Sequence, residues 1–138
     1  MSKFSIAGTI IFTYYHDLAR AADFYARIMG LELVVDQGYT KIFRLTRHSF
    51  IGLVDSEKGT LKASETKSVI IATATGEVDQ WYEHLRAQGV TIFKPLKQHD
   101  TIGVRGFMAL DPEGYVLEFE EFLDTERNTR MVELLRGT

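Results

Sequence analysis

The sequence has no cysteine and only two prolines, and it lacks any surplus of basic residues, with 16 Lys and Arg against 19 Asp and Glu. Without thiols there is no disulfide framework, no thiolate zinc site and no cysteine nucleophile, which makes a cytoplasmic setting the expectation. A formal charge of -3 provides no positive field to draw in nucleic acid. No apolar run is long enough to span a bilayer, and Met1-Ser2-Lys3-Phe4 opens into a strand-like segment rather than a signal-peptide core. Neither nucleic acid nor membrane is therefore an expected partner. What is present, 45% hydrophobic and 25% charged residues in 138 positions, suits one compact unit or two small halves that share a core.

The pattern along the chain favours two halves. Residues 7–15 are β-branched and aromatic and predict a strand, after which Asp17 can cap a helix over residues 18–29. That helix carries Leu18, Ala21, Ala22, Tyr25, Ile28 and Met29 on one stripe, and Gly30 closes it. Residues 31–35, 39–45 and 49–54 read as three strands, and the polar stretch 56–67 as a linker. The order then returns: a strand at 68–75, an amphipathic helix at 77–88 closed by Gly89, and a short strand at 90–93. A loop with Pro95 and His99 leads to strands at 104–110 and 115–122. Each half is thus βαβββ, giving an α+β chain with modules at 1–55 and 68–123. Residues 124–138 form a C-terminal helical extension, with Met131, Leu134 and Leu135 in need of a surface.

The last strand carries a distinctive residue. Asp111-Pro112-Glu113-Gly114 is turn chemistry, proline presetting φ and glycine accepting a positive one. Beyond it, Leu117 and Phe119 face one way and Val116, Glu118 and Glu120 the other. A glutamate in mid-strand among apolar residues is aimed at a partner or a ligand.

The ordered set Asp17-Leu18, Phe24-Tyr25, Gly30-Leu31, Gly89-Val90 and Asp111-Pro112-Glu113-Gly114 with Glu118 resembles the vicinal oxygen chelate superfamily over residues 6–123. That superfamily includes glyoxalase I, extradiol dioxygenases, fosfomycin resistance enzymes and bleomycin resistance proteins. The resemblance implies that each half curls its mixed sheet into an open cup with helices outside and a small organic ligand inside, and that the chain forms a homodimer. Members that use a divalent metal hold it with side chains from the first and last strands of each half. Carried over to this chain, those positions fall at Ile10, Gly52, Ile70 (or Val69, if the register slips by one) and Glu118. Only Glu118 can ligate a metal, so no metal cofactor is expected; the alternative is a relocated metal rebuilt with His16, His48 or His99.

If the family's alternation holds, Ile10, Phe12 and Tyr14 line one wall, Phe50 and Gly52 a second, and Ile70, Ala72 and Ala74 a third, with Glu118 projecting from the fourth. Such a lining suits an aromatic or cationic ligand. Glu118 is expected to lie in a pocket with a perturbed pKa, either paired with a cation, for which Arg44 and Arg105 are the candidates, or partly protonated; Arg105 is also a candidate ligand contact. The leading expectation is a metal-independent protein that binds or sequesters such a ligand, as in the bleomycin-resistance branch. The alternative is a lyase, isomerase or dioxygenase acting on a small oxygenated substrate, with Glu118 as acid/base or as the remaining ligand of a relocated metal. A pure interaction module is the third class.

Overall fold

The computed structural model describes residues 4–137. The chain divides into two compact units, with the boundary between Thr66 and Lys67. The first unit contains β1 (Thr9–Tyr15), α1 (Leu18–Asp23), β2 (Leu33–Asp36), β3 (Thr40–Thr46) and β4 (Ser49–Asp55). The second contains β5 (Ile70–Ala74), α2 (Val78–Ala87), β6 (Ile92–His99), β7 (Val104–Leu110), β8 (Val116–Phe122) and α3 (Thr129–Arg136). The α+β class and the repeated βαβββ order are those expected. Each unit has a four-stranded mixed sheet, in the orders β1-β4-β3-β2 and β5-β8-β7-β6. First and last strands run parallel within each unit, and the other pairs run antiparallel.

In the first unit, α1 begins at Asp17, whose carboxylate accepts from the Arg20 backbone N–H at 3.1 Å. The helix widens into a π-helical turn at Phe24–Ile28 before Gly30 stops it with φ +71°. Phe24 and Tyr25, though adjacent in sequence, are both buried. They cover the sheet face formed by Thr13, Tyr15, Phe43, Ile51 and Leu53, all buried. Tyr25 packs on Phe43 with ring centroids 6.4 Å apart, and the Tyr15 hydroxyl donates to that of Tyr25 at 3.4 Å. In the second unit, Val78 and Leu85 of α2 are buried, and Trp81 stacks on Phe119 at 4.9 Å. Phe119 stacks in turn on Phe107 at 5.1 Å. Gly89 ends α2 with φ +76°. Burying one sheet face under one helix is the main favourable term in each unit.

Three segments differ from expectation. Strand β6 runs to His99, so Pro95 and His99 lie on a strand rather than in a loop. It is the edge of its sheet, and its pairing with β7 shifts between Ile92 and Lys94 and again between Lys94 and Lys97. Such edges tolerate a proline because its missing N–H is not needed. Part of the expected linker is built into the first unit: the Ser56 backbone N–H donates to the Tyr15 carbonyl at 2.9 Å, and Ser56 Oγ accepts from the Ala63 N–H at 2.7 Å. The C-terminal extension begins as a 3-10 turn, Glu126–Asn128, rather than as one helix from residue 124. Asn128 Nδ2 ties that turn to the Gly103 carbonyl at 2.9 Å, whereas Met131, Leu134 and Leu135 of α3 stay exposed.

Candidate functional site

Each sheet has one face under its helix and one that its helix leaves free, although in the first unit Thr40, Ile42 and Val54 on that free face are still buried, and the expected site residues divide between these faces by strand alternation. On the uncovered face of the first unit, Ile10, Phe12 and Tyr14 of β1 lie beside Phe50, Gly52 and Val54 of β4 in direct register. Ile10 and Phe12 are 43% and 46% exposed, which is high for large apolar side chains on a sheet. Gly59, in the loop after β4, lies close against Val54 and the ring of Tyr14, so that loop bounds one end of the row.

The uncovered face of the second unit is built by the turn at Asp111. The Asp111 carboxylate accepts from the backbone N–H of Glu113 at 3.0 Å and of Tyr115 at 2.9 Å, and Gly114 takes φ +92°. This Asx-type turn launches β8 so that Glu118 and Glu120 share the face with Ala72 and Ala74 of β5. On the other side, Met108 stands opposite Glu118 and Gly106 opposite Glu120. Both carboxylates are half-buried among small or apolar neighbours. The Glu120 carboxyl is raised to about 7 by desolvation first, then by a hydrogen bond with Glu118 and by the Glu118 charge. Two carboxyls on alternate positions of one strand hold a proton between them more readily than they hold two charges. The Glu118-x-Glu120 spacing is the sequence signal for this pairing; the perturbed carboxyl expected at Glu118 is found at Glu120.

The arginines expected to meet Glu118 are engaged elsewhere. Arg105 stands opposite Glu121, on the helix-covered side of β7, and donates to both Asp79 carboxylate oxygens at 2.8 Å. Its hydrogen bonds hold Asp79 below its usual range and raise the Arg105 pKa. Register places Arg105 and Glu121 on one face and Glu118 and Glu120 on the other, so Arg105 does not line the open face as expected. Arg44 approaches Glu32 at 3.7 Å. A cavity of about 270 Å³ lies where β5 and β8 end, bounded by Ala74, Thr75, Phe122, Val132 and Leu135 among others; Glu118 is not part of its lining.

The positions to which the resemblance carries the family's metal ligands hold Ile10, Gly52, Ile70 (or Val69) and Glu118. Two aliphatic side chains and a glycine offer no donor atom, so this set does not fit a divalent ion. Among the described residues, no three His, Asp or Glu side chains are grouped so as to hold a metal. His16 and His48 are exposed in turns, and His99 is exposed on the edge strand.

Comparison with known proteins agrees on the fold. TioX from Micromonospora sp. ML1 superposes with a TM-score of 0.71 at 20% identity, over 84% of this chain and 98% of that one. Lactoylglutathione lyase from Agrobacterium tumefaciens gives 0.69 at 20% identity, over 87% and 96%. A glyoxalase/bleomycin resistance protein/dioxygenase from Nocardioides gives 0.72 at 21% identity, over 90% and 87%. No curated protein matches the sequence. The family model of the Glyoxalase/Bleomycin resistance protein/Dioxygenase superfamily matches residues 10–119, most of the chain including both βαβββ units and Glu118, and the protein belongs to that superfamily.

Proposed function

We propose that the protein binds a small aromatic or cationic organic molecule without a metal ion, and so sequesters it. The observation that carries this reading is the paired Glu118 and Glu120 carboxyls on a sheet face of the second unit whose neighbouring residues, Ala72, Ala74, Gly106 and Met108, are small or apolar and offer no metal ligand. A cation approaching the pair favours release of the shared proton and gains two charge-assisted contacts in a partly desolvated setting. The exposed ring of Phe12, flanked by Ile10 and Phe50, offers flat apolar surface for an aromatic ligand.

Isothermal titration of small aromatic cations and glycopeptides, in buffer containing EDTA, tests the reading. Binding that persists in chelator and weakens in E118Q/E120Q is the expected result; binding that appears only after a divalent metal is added overturns it. Sedimentation of the same samples tests whether the protein is a homodimer, as the superfamily resemblance suggests.

A second reading is favoured by one observation. A carboxyl raised to about 7 is matched to general acid–base work near neutral pH, so Glu120, with Glu118 beside it, suits a lyase or isomerase acting on a small oxygenated substrate. Mass spectrometry of a bound ligand before and after incubation separates the two readings: unchanged ligand supports sequestration, and a product lost in E120Q supports catalysis.

A further inference from the structure

We propose that the cavity between α3 and the ends of β5 and β8 holds the apolar part of the ligand whose cationic group meets Glu118 and Glu120, so that the preferred ligand is an amphipathic primary amine rather than a compact cation. This rests on the binding reading above and concerns the second unit alone. The cavity, of about 270 Å³, begins where the acidic row of the open face ends. Ala74, in its lining, is the direct register partner of Glu120, and the Thr75 N–H donates to the Glu120 carbonyl at 2.9 Å. Phe122, also in the lining, follows Glu120 by two residues on the same face, which the rise of a strand puts about 7 Å further along. An ammonium group at the carboxyls therefore directs a chain attached to it past Ala74 toward the cavity.

The charged members of the lining are turned to other partners. Glu121 stands opposite Arg105 across β7 and β8, and Arg136 meets Asp124 at 3.3 Å. What remains is mainly Ala74, Phe122, Val132 and Leu135, an apolar surface. Leu135 is 39% exposed although it lines a cavity, and no residue of α3 is fully buried. An eight-residue helix does not hold itself together in water, so apolar contact on this side is what α3 lacks. A cavity of roughly 150 Å³ takes benzene, so this larger one suits a chain of roughly six to eight carbons.

Calorimetric titration of n-butylamine, n-hexylamine and n-octylamine at pH 8 in EDTA tests the assignment. Affinity is expected to rise about threefold per added methylene in the wild-type protein and to stay level along the series in Val132→Trp, whose ring fills the cavity. E118Q/E120Q is expected to weaken all three amines alike and to keep the rise. If Val132→Trp releases α3, seen as faster proteolysis there, Ala74→Leu fills the same space from β5 and takes its place. Equal affinities for the three amines in the wild-type protein, or a rise that persists in the filled variant, overturn the cavity assignment and leave the acidic pair as read. Failure of every amine to bind removes the acidic pair instead, and the preference for an amine with it. In that case n-hexanol and n-octanol decide the cavity: it stands if octanol binds more tightly and Ala74→Leu abolishes the gain, and falls otherwise.

Discussion

The two units repeat one folding plan beneath their helices and diverge on the sheet faces the helices leave uncovered. Tyr25, in the π-helical turn that continues α1, covers Tyr15 and Phe43, and Leu85 of α2 belongs to a helix that covers Phe107 and Phe119, all nearly or wholly buried. Both helices stop at a glycine with φ above +70°. The uncovered faces share nothing comparable: Ile10, Phe12 and Phe50 in the first unit, Ala72, Ala74, Glu118 and Glu120 in the second. Stability constrains the covered face, because an element that fails to bury apolar area there does not fold. The uncovered face is released from that demand, and chemistry can differ there without disturbing the plan.

The largest expected effects probe the shared half of this comparison. Phe43→Ala and Phe107→Ala each remove a ring that is 1% or 2% exposed, and each is expected to cost about 3–5 kcal/mol in urea denaturation. Similar losses extend the likeness to energetics; a loss below about 1 kcal/mol in one of them breaks it. Next is a feature special to the second unit. Asn128→Ala deletes the side-chain amide that donates to the Ile102, Gly103 and Leu123 carbonyls, and is expected to cost about 1–3 kcal/mol, with faster proteolysis of α3. Gly30→Ala and Gly89→Ala follow, at about 1 kcal/mol each, since nothing lies within 4 Å of either added Cβ and only the left-handed backbone resists it. Unequal Tm shifts for those two would separate units that otherwise look alike.

The smallest effect is a pH dependence that belongs to the second unit's open face. Glu120 stays protonated in the fold up to about 7, whereas its carboxyl ordinarily ionises near 4.5. Between those values the folded chain holds more protons than the unfolded one, so this contribution to stability falls as pH rises through the window and levels off above it. E120Q is expected to flatten that part of the Tm profile, and F12L, on the first unit, to leave it unchanged. Cation binding should strengthen through the same window as the second carboxylate ionises, and calorimetry at pH 6 and pH 8 checks this.

Much of the fold was legible because it follows from short-range periodicity. The stripe from Leu18 to Met29, the Gly30 and Gly89 stops and the alternation of Leu117 and Phe119 each record which residues must be buried. Strand β6 was not legible past Phe93, because Lys94, Pro95 and Lys97 carry the composition of a loop; at a sheet edge, lysine and proline are also what guards a strand from pairing further. Glu118 was legible as a carboxylate aimed off a strand, and Glu120 was legible as sharing its face. The proton between them was not, because its position depends on how far Met108, Gly106 and the β5 alanines withdraw the pair from water.

Local pattern was therefore enough to set the order of elements, the doubling of the βαβββ unit, and the absence of donor atoms at Ile10, Gly52 and Ile70. Which residues face one another needed the folded chain. Arg105 meets Asp79 of α2 instead of Glu118 through the packing of helix on sheet, and the Phe12 ring lies over Gly52 through cross-strand register between segments tens of residues apart. A period of two along one strand says which residues share a face, but it carries no information about which face of a neighbouring strand they will meet.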